Sequence, residues 1–422
     1  MNAEARKNEW RLEVNGGAPW ADRLAHNHPQ KYLIVSCDSH VNEPFDHLEG
    51  WIDPAYRSRL PYIRKDENGT QWLITDGWEP QLISIPPERS DLLPERASFE
   101  DYEVLSPFTA KMDKEDTMRT ASGRSVEQRS AHMQEEGIDA EIIFPQKGLF
   151  AFATPDIDFG AAMARAWNRW AHQYFHEHFD RMLPMALIVP GNVDSAIKEV
   201  QWAAANGFRG IQMPSRPIFT RATEPRNLIH YNHRMFDPLW AAIEETGLPV
   251  TYHIATGEDP RAAKGGGGAL TSLTLTTFVA LEPVVTMIAA GVFERFRKLK
   301  IATVETNVGW IPAVLNIMDN GRRSQHMWQR PELPRLPSEY FAQNCYTVLL
   351  EDTAMLETVV RMGFEDNILW SNDYPHHEGS FPHSHANIQR QMRNLSENQR
   401  AKILGLNAIK LFNINVGDKK QR

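Results

Sequence analysis

The sequence predicts an α/β fold, a (β/α)8 TIM barrel with a small antiparallel β-hairpin or loop insertion after its first strand. Three observations carry this. Eight short runs rich in β-branched residues recur along the chain. Helix-length stretches alternate with them, and strands alternating with helices build a parallel sheet. The chain, 422 residues with 42% hydrophobic and 10% aromatic side chains, is long enough to bury a large core.

In chain order, the first strand is Leu33–Cys37 (LIVSC), and the helix Ser125–Glu136 follows it at a distance. The strand Ala140–Phe144 (AEIIF) precedes the helix Phe159–Phe179, and Met185–Val189 (MALIV) precedes Ser195–Asn206. Gly210–Met213 (GIQM) leads to the helix Met235–Thr246, and Pro249–His253 (PVTYH) to Thr271–Ala290. Ile301–Glu305 (IATVE) is followed by Trp310–Asn320, Tyr346–Leu349 (YTVL) by Thr353–Met362, and Ile368–Trp370 (ILW) by His385–Leu395.

The chain divides into a polar arm (1–30), the barrel (31–415) and a short tail (416–422). Residues 45–123 interrupt the alternation. Within them YIRKDENGTQWLITDGWEPQLISI offers three strand-like runs around Glu67–Gly69 and Asp76–Gly77, the pattern of an antiparallel insertion. Pro86–Asp116 reads as an extended loop. Gly265–Gly268 reads as a mobile lid rather than a phosphate cradle, because no Lys-Ser/Thr follows the glycines.

Composition excludes several classes. The formal charge is −9 and the basic residues form no stripe, so nucleic acid is not an expected partner. Two cysteines, Cys37 and Cys345, are too few for a disulfide scaffold or a Cys-rich zinc site, and a cytoplasmic location is expected. The N-terminal residues mix charges and form no signal peptide, and no run reaches the ~18 consecutive apolar residues of a membrane span, so no membrane partner is expected.

In such a barrel the catalytic mouth is built from the C-terminal ends of the strands, and four of the eight carry metal-ligand residue types. The first strand ends in Asp38-Ser39-His40, where residues two apart share a side and can grip one ion. The fifth ends at His253 and the sixth at Glu305. The eighth runs into Trp370-Ser371-Asn372-Asp373-Tyr374-Pro375-His376-His377. Each alone has a structural explanation, such as a helix cap. Convergence at one mouth points to a site for one or two divalent ions, Zn²⁺ or the harder Mn²⁺ or Fe²⁺.

These segments also resemble a known family. VSCDSHVNEP, EGIDA, GFRGIQMP, FDPLWAAIEETGLPVTYHIATG, VGWIP and WSNDYPH are similar to the amidohydrolase superfamily. The nearer likeness is to the amidohydrolase-related branch that includes metal-dependent decarboxylases of aromatic and muconate-type acids. The resemblance spans roughly residues 31 to 415. Three positions depart from the better-known pattern: Asp38-x-His40 stands where many relatives have two histidines, Arg216 where a ligand His is common, and Glu305 where a His is frequent. Arg216 cannot ligate a metal but suits a substrate carboxylate. Glu305 could end a one-metal site or bridge two ions.

The resemblance implies an ion held by Asp38, His40 and His253 with Asp373, Asp373 acting as proton acceptor and His253 or His376 as donor. The first functional expectation is a hydrolase attacking an amide, ester, thioester or activated C–C bond of a small organic acid or acyl derivative. The alternative is a non-oxidative carboxy-lyase in which the metal and Arg216 hold a carboxylated aromatic acid. A homodimer or higher homo-oligomer is the expected assembly. His176, His178, His230, His233, His383 and His385 read as surface, loop or helix-start residues. Trp167, Trp170, Trp202, Trp240 and Trp310 read as core.

Overall fold

A computed structural model describes residues 24, 28, 31–76, 80–84, 114–217, 229–256 and 268–414. Its strands are β1 (Val35–Val41), β2 (Tyr62–Lys65), β3 (Gln71–Ile74), β4 (Gln81–Ser84), β5 (Ala140–Pro145), β6 (Met182–Pro184), β7 (Ala186–Leu187), β8 (Ile211–Gln212), β9 (Val250–His253), β10 (Ile301–Val304), β11 (Cys345–Leu349) and β12 (Ile368–Trp370). Two parallel sheets run in the orders β1-β5-β6 and β12-β11-β10-β9-β8-β7, and β2-β3-β4 form a separate antiparallel sheet. The fold is therefore α/β with parallel sheets, and each parallel strand except β6 overlaps one of the runs read from the sequence; β6 precedes the Met185–Val189 run, which contains β7.

The two parallel sheets meet at both seams. Only Met185 separates β6 from β7; its N–H donates to Ile143 O (2.9 Å) while Ala186 N–H donates to Gly210 O (3.2 Å). At the other seam Asp373 N–H donates to Asp38 O (3.1 Å) and His40 N–H to Tyr374 O (2.6 Å).

Successive residues along the parallel strands feed two different apolar clusters, as the two-residue period of a strand dictates. Val35, Cys37, Ile142, Phe144, Ala302, Val304, Val348 and Leu369 pack with one another in one. Ile34, Ile143, Ile301, Leu349, Ile368 and Trp370 face the helices in the other. Trp167 and Trp240 are fully buried there, Trp310 nearly so, and Trp170 and Trp202 pack against its edge, in keeping with their reading as core.

The helices begin and end where local chemistry allows. Among them are α1 (Lys114–Ala121), α2 (Val126–Glu136), α3 (Ile157–Phe175), α4 (Val193–Ala205), α5 (Asp237–Thr246) and α6 (Gly268–Ala289). The Ser125, Asp156 and Asn192 side chains accept N–H groups from the first turns of α2, α3 and α4. Gly137 and Gly247, at φ 71° and 72°, end α2 and α5 in the left-handed conformation that glycine adopts without strain. By length and composition, Leu270–Ala289 could cross a membrane, with a mean hydropathy of 1.6, which the count of consecutive apolar residues missed because threonines interrupt the run. In the fold its Val279, Leu281, Val284, Met287 and Ile288 are buried in the protein core.

Helix Pro337–Asn344 was not expected from the sequence; its Pro337 start and its buried Tyr340 and Phe341 tie it to the core. His233 caps a short 3-10 turn and His383 sits at the start of helix Ser384–Met392, as expected, while His176 and His178 lie in a 3-10 turn after α3. Most of the polar arm, most of the Pro86–Asp116 loop, Gly77, Gly265–Gly267 and the 416–422 tail lie outside the described residues.

Candidate metal centre

The first functional pair depends on an irregularity. The β1–β5 register shifts between Ser36 and Ser39. Val35 and Cys37 point into the inner apolar cluster, so an unbroken strand would also turn Ser39 inward and Asp38 and His40 outward. The bulge reverses that parity. Ser39 Oγ instead donates to Ile142 O (3.1 Å), and Asp38 and His40, both buried, face the end of β9.

Four predicted residues converge there. His253 Nε2 lies 3.3 Å from Asp38 Oδ1 and 3.2 Å from His40 Nε2. His40 Nε2 is 3.4 Å from Asp38 Oδ1 and 3.4 Å from Asp373 Oδ1. Neither oxygen of Asp38 or Asp373 has a hydrogen-bond partner, although both carboxylates are fully buried. A buried carboxylate without a partner is strongly disfavoured unless a cation compensates it.

The tautomers agree with a cation. His40 Nδ1 lies 3.3 Å from Pro145 O and His253 Nδ1 2.9 Å from Ile254 O. A carbonyl oxygen only accepts, so each Nδ1 holds the proton and each neutral ring turns a bare Nε2 to the centre, the usual arrangement of a metal-ligating histidine. Two nitrogens and two carboxylates with converging lone pairs fit a divalent metal.

Charge acts on these groups in opposite directions. Burial and the nearby His376 hold His40 down to about 3. Burial would also lower His253, but the negative charge of the adjacent Asp38 outweighs it and raises it to about 9. Burial would raise Asp38, yet His253 and His40 pull it below its ordinary value. Burial, then the Asp38 charge, pushes Asp373 well above the carboxylate range. Burial, then the Asp373 charge, does the same to Glu305. Without an ion, a proton on His253 is the positive charge the cluster holds.

Glu305 does not join the first triad. Its Oε2 is 3.6 Å from His253 Nε2, and its donor atom groups instead with those of Asp373 and Glu378. Both Glu305 (φ 63°) and Asp373 (φ 50°) adopt left-handed backbone, which costs a non-glycine residue ~1–2 kcal/mol. Such strain persists where the surrounding structure enforces it, as at functional sites. Gly379 makes room for Asp373: a Cβ there would lie 2.5 Å from Asn372 O and 2.7 Å from Asp373 O.

His376 stacks on His40, ring centroids 4.0 Å apart, with Nδ1 3.2 Å from Asp373 Oδ1. Arg216 is placed otherwise than expected. Its Nε and Nη2 grip Glu282 of α6 at 2.9 and 2.7 Å, and it is not among the residues around the cavity over the centre.

Sequence reasoning missed Arg129 and Glu141. Arg129 is buried, donates to Glu141 Oε2 (2.6 Å), Ser39 Oγ (3.2 Å) and His40 O, and so fixes the backbone that carries the first ligand pair. Their only sequence signal is a charge within an apolar strand and another within the preceding helix. Glu378 and Gln146, beside His376, were also missed; Glu378 lies five residues after Asp373 in the same run. The cavity measures about 400 Å³, and its lining includes the polar His40, His253 and Glu305 and the apolar Leu149, Ile254 and Leu273.

A model of the amidohydrolase family matches residues 25–414, and the chain belongs to that family. Among solved structures, an amidohydrolase from Mycobacterium avium subsp. paratuberculosis K-10 matches at 23% identity and TM-score 0.70, covering 90% of this chain and 99% of its own. The 5-carboxyvanillate decarboxylase of Sphingomonas paucimobilis matches at 20% identity and TM-score 0.61, covering 91% and 100%. A dihydroxybenzoic acid decarboxylase from Polaromonas sp. JS666, with bound manganese and the inhibitor 2-nitroresorcinol, matches at 16% identity and TM-score 0.58, covering 92% and 99%. At these identities the likeness is one of fold. No curated protein sequence matches this chain.

Proposed function

We propose that this member of the amidohydrolase family is a divalent-metal-dependent, non-oxidative decarboxylase of a small, hydroxylated aromatic acid. The observation that carries the metal is the convergence of Asp38, His40, His253 and Asp373 with unshared lone pairs. Preference for carboxy-lyase over the hydrolase expected first rests on two supports. Two of the similar structures reported above are decarboxylases of aromatic acids, and the cavity has the size of a small-ring site.

A bound ion would supply Lewis-acid charge to the substrate's carboxylate and an adjacent hydroxyl. Asp38, His40, His253 and Asp373 would hold it, and the carboxylate-rich set suits Mn²⁺ better than Zn²⁺. Apolar contacts from Leu149, Ile254 and Leu273, which line the cavity, orient the ring. A proton from a cavity-lining acid, Glu305 or His376, adds to the ring carbon bearing the carboxylate. The C–C bond then breaks, its electron pair restores the ring, and CO₂ leaves. Arg216 is left out of the substrate contact, held by Glu282. We read the two parallel sheets, hydrogen-bonded at both seams, as the predicted barrel, with β2–β4 as its insertion. A cytoplasmic location remains part of the proposal, and both cysteines are free and buried.

The test is turnover by Mn²⁺-loaded protein on a panel of hydroxybenzoic acids, with CO₂ and decarboxylated product quantified together. Equal yields are expected. No CO₂ from the panel, together with hydrolysis of esters or amides by the same preparation, would overturn the reading in favour of the hydrolase.

A further inference from the structure

The turn after β5 is built around a buried carboxylate that takes no part in the proposed metal centre. Glu43 accepts the backbone N–H groups of Gln146 (3.1 Å), Lys147 (2.9 Å) and Gly148 (3.1 Å) and the indole N–H of Trp167 (3.1 Å). Gly148 packs so closely that a Cβ would lie 2.4 Å from Trp167 Cδ1. The backbone that carries Gln146 is thus fixed from both sides, and its side chain meets His376 Nε2 at 2.7 Å through Oε1.

An amide oxygen accepts, so in this arrangement His376 Nε2 carries the proton and Nδ1 is bare. That Nδ1 is buried and has no hydrogen-bond partner. It faces Asp373 Oδ1, and the donor atoms of His40, Asp373 and His376 all lie within 4.8 Å of one another. His40 and His253 each hold one nitrogen on a carbonyl and turn the other to the centre. His376 repeats this pattern, with Gln146 in the place of the carbonyl. The opposite amide orientation would put the proton on Nδ1, making His376 a donor to Asp373 instead of a ligand.

We propose that Gln146 is a positioning residue that holds His376 as a third imidazole donor to the metal centre. The inference rests on the metal-dependent reading above, and it leaves Glu305 as the cavity-lining acid that delivers the proton.

The experiment is Mn²⁺ titration and the visible spectrum of the Co²⁺-substituted protein for the full chain and its Gln146→Leu, Gln146→Glu and His376→Ala variants, with circular dichroism as the folding control. Loss of a partner behind a ligating histidine typically weakens metal binding ~10–100-fold, and that loss is expected for Gln146→Leu. Gln146→Glu, which can only accept, should restore wild-type affinity. Gln146→Leu and His376→Ala should share one altered Co²⁺ spectrum, and combining them should add no further loss. Wild-type affinity and spectrum in Gln146→Leu, equal weakening by Gln146→Glu, or an undiminished Gln146→Leu effect in the His376→Ala background would each overturn the inference while the metal-dependent reading stands. Failure of the wild-type chain to take up either ion would overturn both.

Discussion

The Nε2 atoms of His40 and His253 lie 3.2 Å apart, with Asp38 Oδ1 3.4 Å from one and 3.3 Å from the other. Two neutral rings whose other nitrogens bond to carbonyls would face each other there with lone pairs. A proton or a metal ion must occupy the space, and which one it is depends on pH.

In the metal-free protein His253 is raised from its ordinary value to about 9, because the Asp38 charge outweighs burial. A raised value means a stabilising contribution that is full below the unfolded value and fades as pH climbs through about 9. A metal must displace that proton. Calorimetry in buffers of different ionisation enthalpy should show at least one proton released per ion at neutral pH, with affinity rising up to pH about 9. Binding without proton release would mean that His253 is not a ligand.

Asp373 both approaches His40 and contacts His376. Asp373→Asn keeps an oxygen for coordination but removes a negative charge that would help hold the ion, so metal affinity should fall and kcat should fall with it. Near-native kcat with full metal would reduce Asp373 to a structural role.

Gly379→Ala places a methyl against the Asp373 carbonyl, and the backbone must move. Small misplacements of reacting groups can cost ~10²-fold, so activity should drop by about that factor while the melting temperature changes little. A large fall in stability with unchanged kcat for the folded fraction would show that the loop, not Asp373, absorbs the shift.

Arg129→Met leaves Glu141 buried and unpaired, which typically costs about 3–5 kcal/mol. Adding Glu141→Leu should recover most of that loss. Denaturant titration of the single and double variants decides it; an additive double variant would mean that the pair is not coupled.

Arg216→Met should reduce stability by about 1 kcal/mol through loss of the Glu282 pair, with KM unchanged. Steady-state kinetics checks this. A large rise in KM would return Arg216 to the substrate.

The α/β alternation and the chemistry at the strand ends are legible in the amino-acid order, because both are local properties. Alternating apolar residues mark strands whichever partner they find, and Ile368–Trp370 was read to its exact bounds. Asp38, His40, His253 and Asp373 stand out as ligand types at the ends of the first, fifth and eighth predicted strands. Where those side chains point depends on long-range packing. Strand parity would turn Asp38 and His40 away from the centre, and the β1 bulge against β5 brings them in. It would also turn Glu305 outward, since Val304 faces the inner cluster, yet its left-handed backbone sends the carboxylate into the cavity. Register and backbone strain arise from pairing with segments up to a hundred or more residues away. For the same reason Glu282, on a distant helix, claims Arg216, and the clamp of Arg129 on His40 O is visible only once β1, α2 and β5 are packed together.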